Sequence, residues 1–346
     1  MSDAPRGTGA RGEPLCSVIV ANFNYARFLE AMIDSVRRQT YSNWELIVCD
    51  DGSTDTSTEV LREWQVREPR LQVIAQPNGG MASAWNSCVA ACRGEIVCIL
   101  DADDEMHPAR LQQIVDAFEG APDAGVCTHM VTPVDRDGTT RGQNLPRILD
   151  CGWVGEELLG RGGRGAMPPA SGLALRRRIA ARVFPCPIHL RRGADGYVGN
   201  AAALISPIVS IPRPLARYRL HGSNLTGLND VSLKGITALL DDYEVITRAL
   251  AEFVRRERGA SAAARLHVSH APAYLEASLA KRLLESSLDV KALSQVLRCV
   301  KGRVRRVLWL TMALVPPFVG RSILRAWWGN SAPKRWLLAF SALRAR

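Results

Sequence analysis

Three carboxylates stand almost side by side in Asp101-Ala102-Asp103-Asp104, directly behind the apolar run Ile96-Val97-Cys98-Ile99-Leu100. Carboxylates at the end of a buried strand repel one another and lose hydration, a cost that a bound cation or ligand offsets. Taken alone, the run fits a solvated turn equally well, or a helix N-cap at Asp104 for a helix starting near Met106-His107-Pro108. A second acidic strand end decides between these readings. Trp44-Glu45-Leu46-Ile47-Val48-Cys49 reads as a buried strand and ends in Asp50-Asp51-Gly52-Ser53. Two strands of one sheet that both end in paired carboxylates predict a divalent metal site, Mg2+ or Mn2+, holding a phosphate-bearing substrate at the carboxyl edge of the sheet.

The elements that must position these acids alternate strand and helix. Ser17 to Asn22 reads as a strand and Ala26 to Gln39 as an amphipathic helix. Glu45 to Cys49 follows as a strand, and Asp55 to Arg67 as a helix with its N-cap at Ser53 or Asp55. Leu71 to Ala75 is a third strand, Ala82 to Cys92 a helix entered through Asn78-Gly79-Gly80, and Glu95 to Leu100 a fourth strand. Pro108 to Phe118 is the next helix and Val126 to Pro133 a further strand. This alternation predicts βαβ units and a mostly parallel central sheet flanked by helices.

The pattern weakens from Asp135 to Met167, where Gly and Arg are frequent, and this stretch reads as a mobile surface loop that orders over a ligand. Short strands are expected at Ser171 to Leu175, Ile208 to Ile211 and Ala216 to Leu220, with a helix from Asp195 to Leu204. Helices then fill Leu233 to Arg256, Pro272 to Leu284 and Val290 to Val300.

The net charge of +10 is unevenly spread. From Val290 to Arg346 there are twelve Lys or Arg and no acidic residue, so the basic excess lies wholly in the last segment. Val307 to Gly320 is uncharged and mainly apolar, broken by Pro316-Pro317, and flanked by Arg305, Arg306, Arg321, Arg325 and Trp327-Trp328. It is shorter than the roughly 20 residues that span a bilayer. Three readings stand: docking on an anionic membrane surface, which the absence of acid favours, a helix covering the catalytic domain with its apolar face, or a hairpin-like re-entrant insertion. A nucleic-acid binder would interleave aromatics with a basic face on a recognised module, so nucleic acid is not expected as a partner.

Nearly half the residues are apolar, which excludes global disorder. The nine cysteines are scattered without a Cys-x-x-Cys pair and read as reduced core residues of a cytosolic protein. Met1 to Pro14 is rich in Gly, Arg and Pro without an apolar stretch, so it reads as a flexible tail. The expected organisation is a tail over 1–14, a catalytic domain over 15–228, a helical extension over 229–300 and a basic, Trp-bearing, membrane-associating tail over 301–346.

The order of motifs carries more than any one of them. Ser17-Val18-Ile19-Val20-Ala21-Asn22-Phe23-Asn24 is followed by Ser35-Val36-Arg37-Arg38-Gln39-Thr40, then by Trp44 through Asp55, then by Gln76-Pro77-Asn78-Gly79-Gly80. Arg93-Gly94-Glu95-Ile96-Val97 and Leu100-Asp101-Ala102-Asp103-Asp104 complete the series. It resembles the family-2 glycosyltransferases, which have the GT-A fold, a Rossmann-like α/β sheet; the resemblance runs from Ser17 to about Asn224 and leaves a mainly helical C-terminal extension.

The resemblance implies a nucleotide-diphosphate sugar at the carboxyl edge of the sheet. Asp51 matches the family residue that contacts the nucleobase, and Asp50 is expected to help hold the nucleoside. Ala21, Asn22 and Asn24 line the nucleotide pocket, with Asn78, Gly79 and Gly80 beside it. Asp101 and Asp103 fall on the family's Asp-x-Asp, which binds the ribose and the metal; Asp103, Asp104 and His221 are the expected metal ligands. His221 lies in Tyr218-Arg219-Leu220-His221-Gly222-Ser223-Asn224, similar to the family's Tyr-Arg-x-His-x-x-Asn-x-Ser. Asp195, in Arg192-Gly193-Ala194-Asp195-Gly196-Tyr197, occupies the place of the general base of inverting transfer, although the usual preceding Glu is Ala194 here. Another departure is Ala84-Trp85-Asn86, where the family often has Ala-Arg-Asn, so Trp85 is expected to pack or to stack near the donor.

An Asp accepts the imide N–H of uracil or thymine, or the guanine N1–H, which favours a UDP, dTDP or GDP sugar. The acceptor expected is a glycan or polyprenyl-linked hydroxyl, and the place the cytoplasm, peripheral on the inner membrane face. Two other functions remain open from residues alone. A nucleotidyltransferase would carry a Gly-rich basic loop where Ala21-Asn22-Phe23-Asn24-Tyr25 stands, and a nucleotide-sugar-binding module would bind without turnover.

Overall fold

The computed structural model describes residues 12–190, 192–220, 232–286, 290–299 and 303–328. His221 lies outside them. The chain divides into two compact units, one of residues 1–154 with 166–221, the other of residues 155–165 with 222–346.

The first unit is built on an eight-stranded sheet. Its strands are β1 (Cys16–Asn22), β2 (Trp44–Asp50), β3 (Leu71–Ala75), β4 (Ile96–Ile99), β5 (Glu105–Met106), β6 (Val126–Val134), β7 (Leu173–Arg176) and β8 (Ile208–Arg219). They lie in the order β3-β2-β1-β4-β7-β6-β8-β5. The first four are mutually parallel, each joined to the next through a helix: α1 (Ala26–Arg37), α2 (Ser57–Arg67) and α3 (Met81–Ala91). Helix α1 shows why such segments fold onto a sheet: Leu29, Met32, Ile33 and Val36 recur at helical spacing and are all buried.

Beyond β4 the sheet is mixed. β7 runs antiparallel to both β4 and β6, β5 runs antiparallel to β8, and β6 and β8 are parallel. The parallel half follows from its βαβ repeats, whereas antiparallel neighbours need no helical crossover and leave no such alternation in the chain. The two short strands expected at 208–211 and 216–220 are one strand, β8, whose register against β6 shifts around Met130. The N-cap expected at Asp104 is absent: Glu105-Met106 forms β5, and the helix begins later, as α4 (Arg110–Gly120). The loop expected over 135–167 is split between the units. Its first part is tied to β6 and β8 through the bridges Val131–Leu145, Val134–Thr140 and Gly152–Ile208. Residues 155–165, with α5 (Gly155–Gly160), belong to the second unit. Helices α6 (Arg177–Val183) and α7 (Ala194–Ala203) complete the first unit.

The second unit is helical: α8 (Leu233–Arg258), α9 (Ala260–Ala263), α10 (Pro272–Leu284), α11 (Val290–Cys299), α12 (Arg303–Leu314) and α13 (Pro317–Trp328). Ser232 caps α8, its hydroxyl accepting from the Gly235 N–H at 3.0 Å, and Arg255, Arg256 and Arg258 sit at the helix end that favours cations. Ile236, Leu240, Ala277, Leu283, Trp309, Met312 and Leu324 share the core of this unit. The Val307–Gly320 run is therefore cut into two helices at its prolines, and part of its apolar surface is used inside the protein. Among the described residues no helix is long and apolar enough to cross a membrane. Eight cysteines are free thiols, seven of them buried.

Candidate active site

Parallel pairing in register brings the acidic strand ends together. Asn22 at the end of β1 pairs with Asp50 at the end of β2. Its Nδ2 donates to Asp50 Oδ1 at 3.0 Å and to Ser53 Oγ at 3.2 Å. Asp50 also accepts from the hydroxyls of Ser53 (2.5 Å) and Thr58 (3.0 Å), so both its oxygens take part in holding the fold. Asn24 stands at φ +60 and clasps the next turn: its Oδ1 accepts from the Thr54 N–H at 2.7 Å and the Asp55 N–H at 3.2 Å. Asp55 in turn accepts from the N–H groups of Ala26 and Ser57, at the starts of α1 and α2.

Asp51 lies one residue past β2 and is buried. Its Oδ1 accepts from Gln76 Nε2 (2.6 Å) and the Gly79 N–H (2.9 Å), and its Oδ2 from the Gly80 N–H (2.7 Å). It thereby fixes the turn that starts α3. Gly52 makes this close approach possible: at φ +75, a Cβ there would stand 2.8 Å from the Asn78 nitrogen. An open cleft of about 800 Å³ adjoins this edge, lined by Asn24, Arg27, Thr54, Asp55 and Glu59 among others.

The acid run beyond β4 is a tight turn, with the Asp104 N–H donating to the Asp101 carbonyl at 3.1 Å. Ser171, from the segment leading into β7, accepts from the Asp101 N–H at 3.0 Å and donates to Asp104 Oδ2 at 2.6 Å. Asp104 Oδ1 accepts from the Arg219 N–H at 2.8 Å. The Arg219 guanidinium donates to the Asp103 carbonyl at 3.0 Å and to Glu105 Oε1 at 2.6 Å, so the end of β8 clamps the turn. Asp104 thus points both oxygens into the fold.

Asp101 faces a different neighbourhood. Burial pushes its carboxyl well above the usual carboxylate range, and the charges of Asp103 and Asp195 push it the same way. Asp195 lies in the first turn of α7, behind Gly193 at φ +74, and is brought to the same edge by the loop before it. That loop is tied to α3 by Asn86, which donates to the Cys186 carbonyl at 2.9 Å and accepts from the Cys186 N–H at 2.7 Å. Tyr25 is a further member. Its phenol is pushed up to about 12 by burial, then by Asp103 and Asp101.

The residues present suit a hard divalent cation. Asp103 sits close enough to Asp101 to oppose its ionisation, and a cation between the two would relieve that repulsion. Among the described residues no group of three or more His, Cys, Asp or Glu is arranged to hold a metal. Mg2+ commonly completes its shell with water and substrate phosphates.

Several residues at this edge had no sequence signal of their own. Ser171 lies 67 positions beyond Asp104, and a lone Ser in a weak strand pattern announces nothing. Arg110 is fully buried behind β4, donating to His129 Nε2 at 2.8 Å and to the Ile99 carbonyl at 2.9 Å. Burial and then the Arg110 charge hold His129 well below its ordinary value, so it is neutral and its Nδ1–H donates to the Met130 carbonyl. Trp85 packs rather than stacks on a ligand: it is fully buried.

Residues 17–183 match the model of glycosyl transferase family 2. An uncharacterized glycosyltransferase of Nostoc sp. is 39% identical over 215 residues, 60% of this chain and 65% of that protein. Among solved structures, S. aureus TarS aligns over 90% of both chains with a TM-score of 0.56 at 16% identity. The mannosyltransferase PcManGT from Pyrobaculum calidifontis, in complex with GDP-Man and Mn2+, aligns over 91% of this chain and 88% of its own, with a TM-score of 0.51 at 19% identity. At such identities the two structures speak for the fold alone, and that fold is the GT-A type. Residues 17–183, the part of the chain that carries both acidic strand ends, belong to glycosyltransferase family 2.

Proposed function

We propose that this chain is a metal-dependent, inverting glycosyltransferase that moves a sugar from a nucleotide-diphosphate sugar to a hydroxyl of a cell-surface glycan or polyprenyl-linked acceptor. The observation that carries the reading is the convergence of Asp101, Asp103 and Asp195 at one sheet edge. In it, Asp195 accepts the proton of the acceptor hydroxyl as that oxygen attacks the anomeric carbon. Asp101 and Asp103 hold the cation, Mg2+ or Mn2+, which when bound neutralises charge gathering on the leaving diphosphate. Asp104 and Arg219 keep the turn that presents them in shape. Asp51 and the Gly79–Gly80 turn border the nucleoside, with UDP, dTDP or GDP as the donor types. The solved relatives support this choice: TarS has been seen with UDP-GlcNAc and PcManGT with GDP-Man and Mn2+. The acceptor is proposed to lie at an anionic membrane, with the enzyme peripheral on its cytoplasmic face.

The test is donor turnover by the purified protein. UDP, dTDP and GDP sugars are offered with Mn2+ and with chelator, and release of the nucleoside diphosphate is followed. The expected result is metal-dependent release from one donor type, lost in Asp195→Asn while donor binding persists. Binding without release by wild type, in the presence of sugar acceptors, would leave a nucleotide-sugar-binding module instead.

A further inference from the structure

Helix α12 carries apolar residues on two sides. Trp309 and Met312 are buried in the core of the helical unit, where Leu324 of α13 joins them. On another side Val307, Leu310 and Leu314 stand at i, i+3 and i+7, forming one stripe, with Leu310 39% exposed and the other two more so. Val307 is 60% exposed and Leu314 83%. Past the Pro316-Pro317 break, Phe318 at the start of α13 is a further large apolar side chain, 66% exposed. Large apolar side chains grouped in this way on a surface mark a place where something binds.

The charge around the stripe selects the partner. Arg305 and Arg306 lie exposed on α12, beside Val307, Arg305 paired with Glu276 of α10 at 2.7 Å, and Arg321 follows Phe318 by one turn of α13. No acidic residue occurs anywhere from 290 to 346, against twelve basic ones. An apolar stripe flanked by cations, on helices that carry no acid of their own, is complementary to an anionic bilayer surface: the stripe enters the acyl boundary, and Arg306 and Arg321 remain among the headgroups. One side of α12 thus packs within the helical unit, while Val307, Leu310 and Leu314 remain exposed.

We infer that the α12–α13 hairpin, through Val307, Leu310, Leu314 and Phe318, is an interfacial anchor that lays the chain on an anionic lipid bilayer. The inference deepens the proposed membrane partner of the transferase and names the surface that would meet it. It needs no donor sugar, so its success or failure is separate from that of the transferase reading.

The experiment is co-sedimentation of the full chain with phosphatidylcholine vesicles, with and without phosphatidylglycerol. Wild type is expected to bind the anionic vesicles, to ignore the neutral ones, and to be partly released by salt. The double variant Leu314→Glu/Phe318→Glu is expected to lose about tenfold or more in bound fraction, and Leu314→Ala/Phe318→Ala an intermediate amount. Both positions are exposed, so the thermal midpoint and the donor turnover in solution should stay those of wild type. Equal binding by wild type and the double variant overturns the inference, as does binding without preference for anionic lipid. Conversion of a dimer to a monomer by the double variant, with vesicle binding unchanged, would also overturn it and give the stripe to a second copy.

Discussion

Ser171 and Asp104 share a 2.6 Å hydrogen bond across 67 positions of sequence, and it turns one of three neighbouring carboxylates away from the site. The same hydroxyl accepts from the Asp101 N–H, so one side chain braces both ends of the acid turn. Asp104 is a buttress in this geometry, and Asp101 and Asp103 are the pair proposed above to hold the cation. Two substitutions separate these roles. Asp104→Ala leaves the Ser171 hydroxyl and the Arg219 N–H without their acceptor and is expected to cost about 1–3 kcal/mol of stability. Asp103→Asn is expected to keep the ligand-free midpoint closer to wild type and to lose the extra stabilisation that a nucleotide gives with Mn2+. Thermal melts with and without nucleotide and Mn2+ read both effects, since a ligand of the native state raises the midpoint by mass action.

Gly52 should tolerate no side chain. Its φ of +75 disfavours L residues, and an added Cβ meets the Asn78 backbone at 2.8 Å. The left-handed conformation alone costs about 1–2 kcal/mol in a residue with a Cβ, and displacing the Asn78 turn adds to that. Urea unfolding of Gly52→Ala should show a loss of at least this size. Donor affinity should fall with it, because Asp51 and the Gly79–Gly80 turn move together.

Asn86 couples the helix behind the donor turn to the loop that delivers Asp195. Removing its two hydrogen bonds to Cys186 in Asn86→Ala should lower kcat more than it weakens donor binding. A loss of about tenfold is expected, since small misplacements of a base are costly to rate. A kcat that stays at the wild-type value would mean that the Asp195 loop is held by other contacts.

His129 makes stability depend on pH. Its folded value lies well below the ordinary 6.5, because burial and Arg110 exclude its proton. The unfolded chain binds that proton and the folded one does not. Its contribution to stability is therefore full above about 6.5 and falls as the pH drops below it, by up to about 1.4 kcal/mol per pH unit. His129→Gln keeps an acceptor for Arg110 and cannot titrate. Its urea midpoint should fall less than that of wild type between about pH 7 and about pH 5.

Much of the parallel half of the sheet was legible because its signals are local. Apolar runs such as Ile96 to Leu100 read as buried strands, and α1 shows its apolar stripe within four turns. The helix after β2 starts two residues later than expected, because Asp55 is engaged at the starts of both α1 and α2. The second half was less legible. Antiparallel β7 and the long β8 depend on pairing between segments tens of residues apart, which leaves no period in the chain. The apolar run near the C-terminus could be recognised as amphipathic, yet which of its residues face inward depends on α8 and α10, far upstream.

The sequence by itself determined the class of fold, the parallel strand–helix repeats and the two acidic strand ends, since hydrophobic period and strand-end composition are properties of neighbouring residues. Only the tertiary structure decided which donors reach each carboxylate. Asp50, Asp51 and Asp104 look alike in the chain, yet they are spent on Ser53 and Thr58, on Gly79 and Gly80, and on Ser171 and Arg219. Asp101 is left facing Asp103 and Asp195. A carboxylate's role is set by which donors reach its oxygens, and those donors arrive from distant parts of the chain only when the sheet has closed around them.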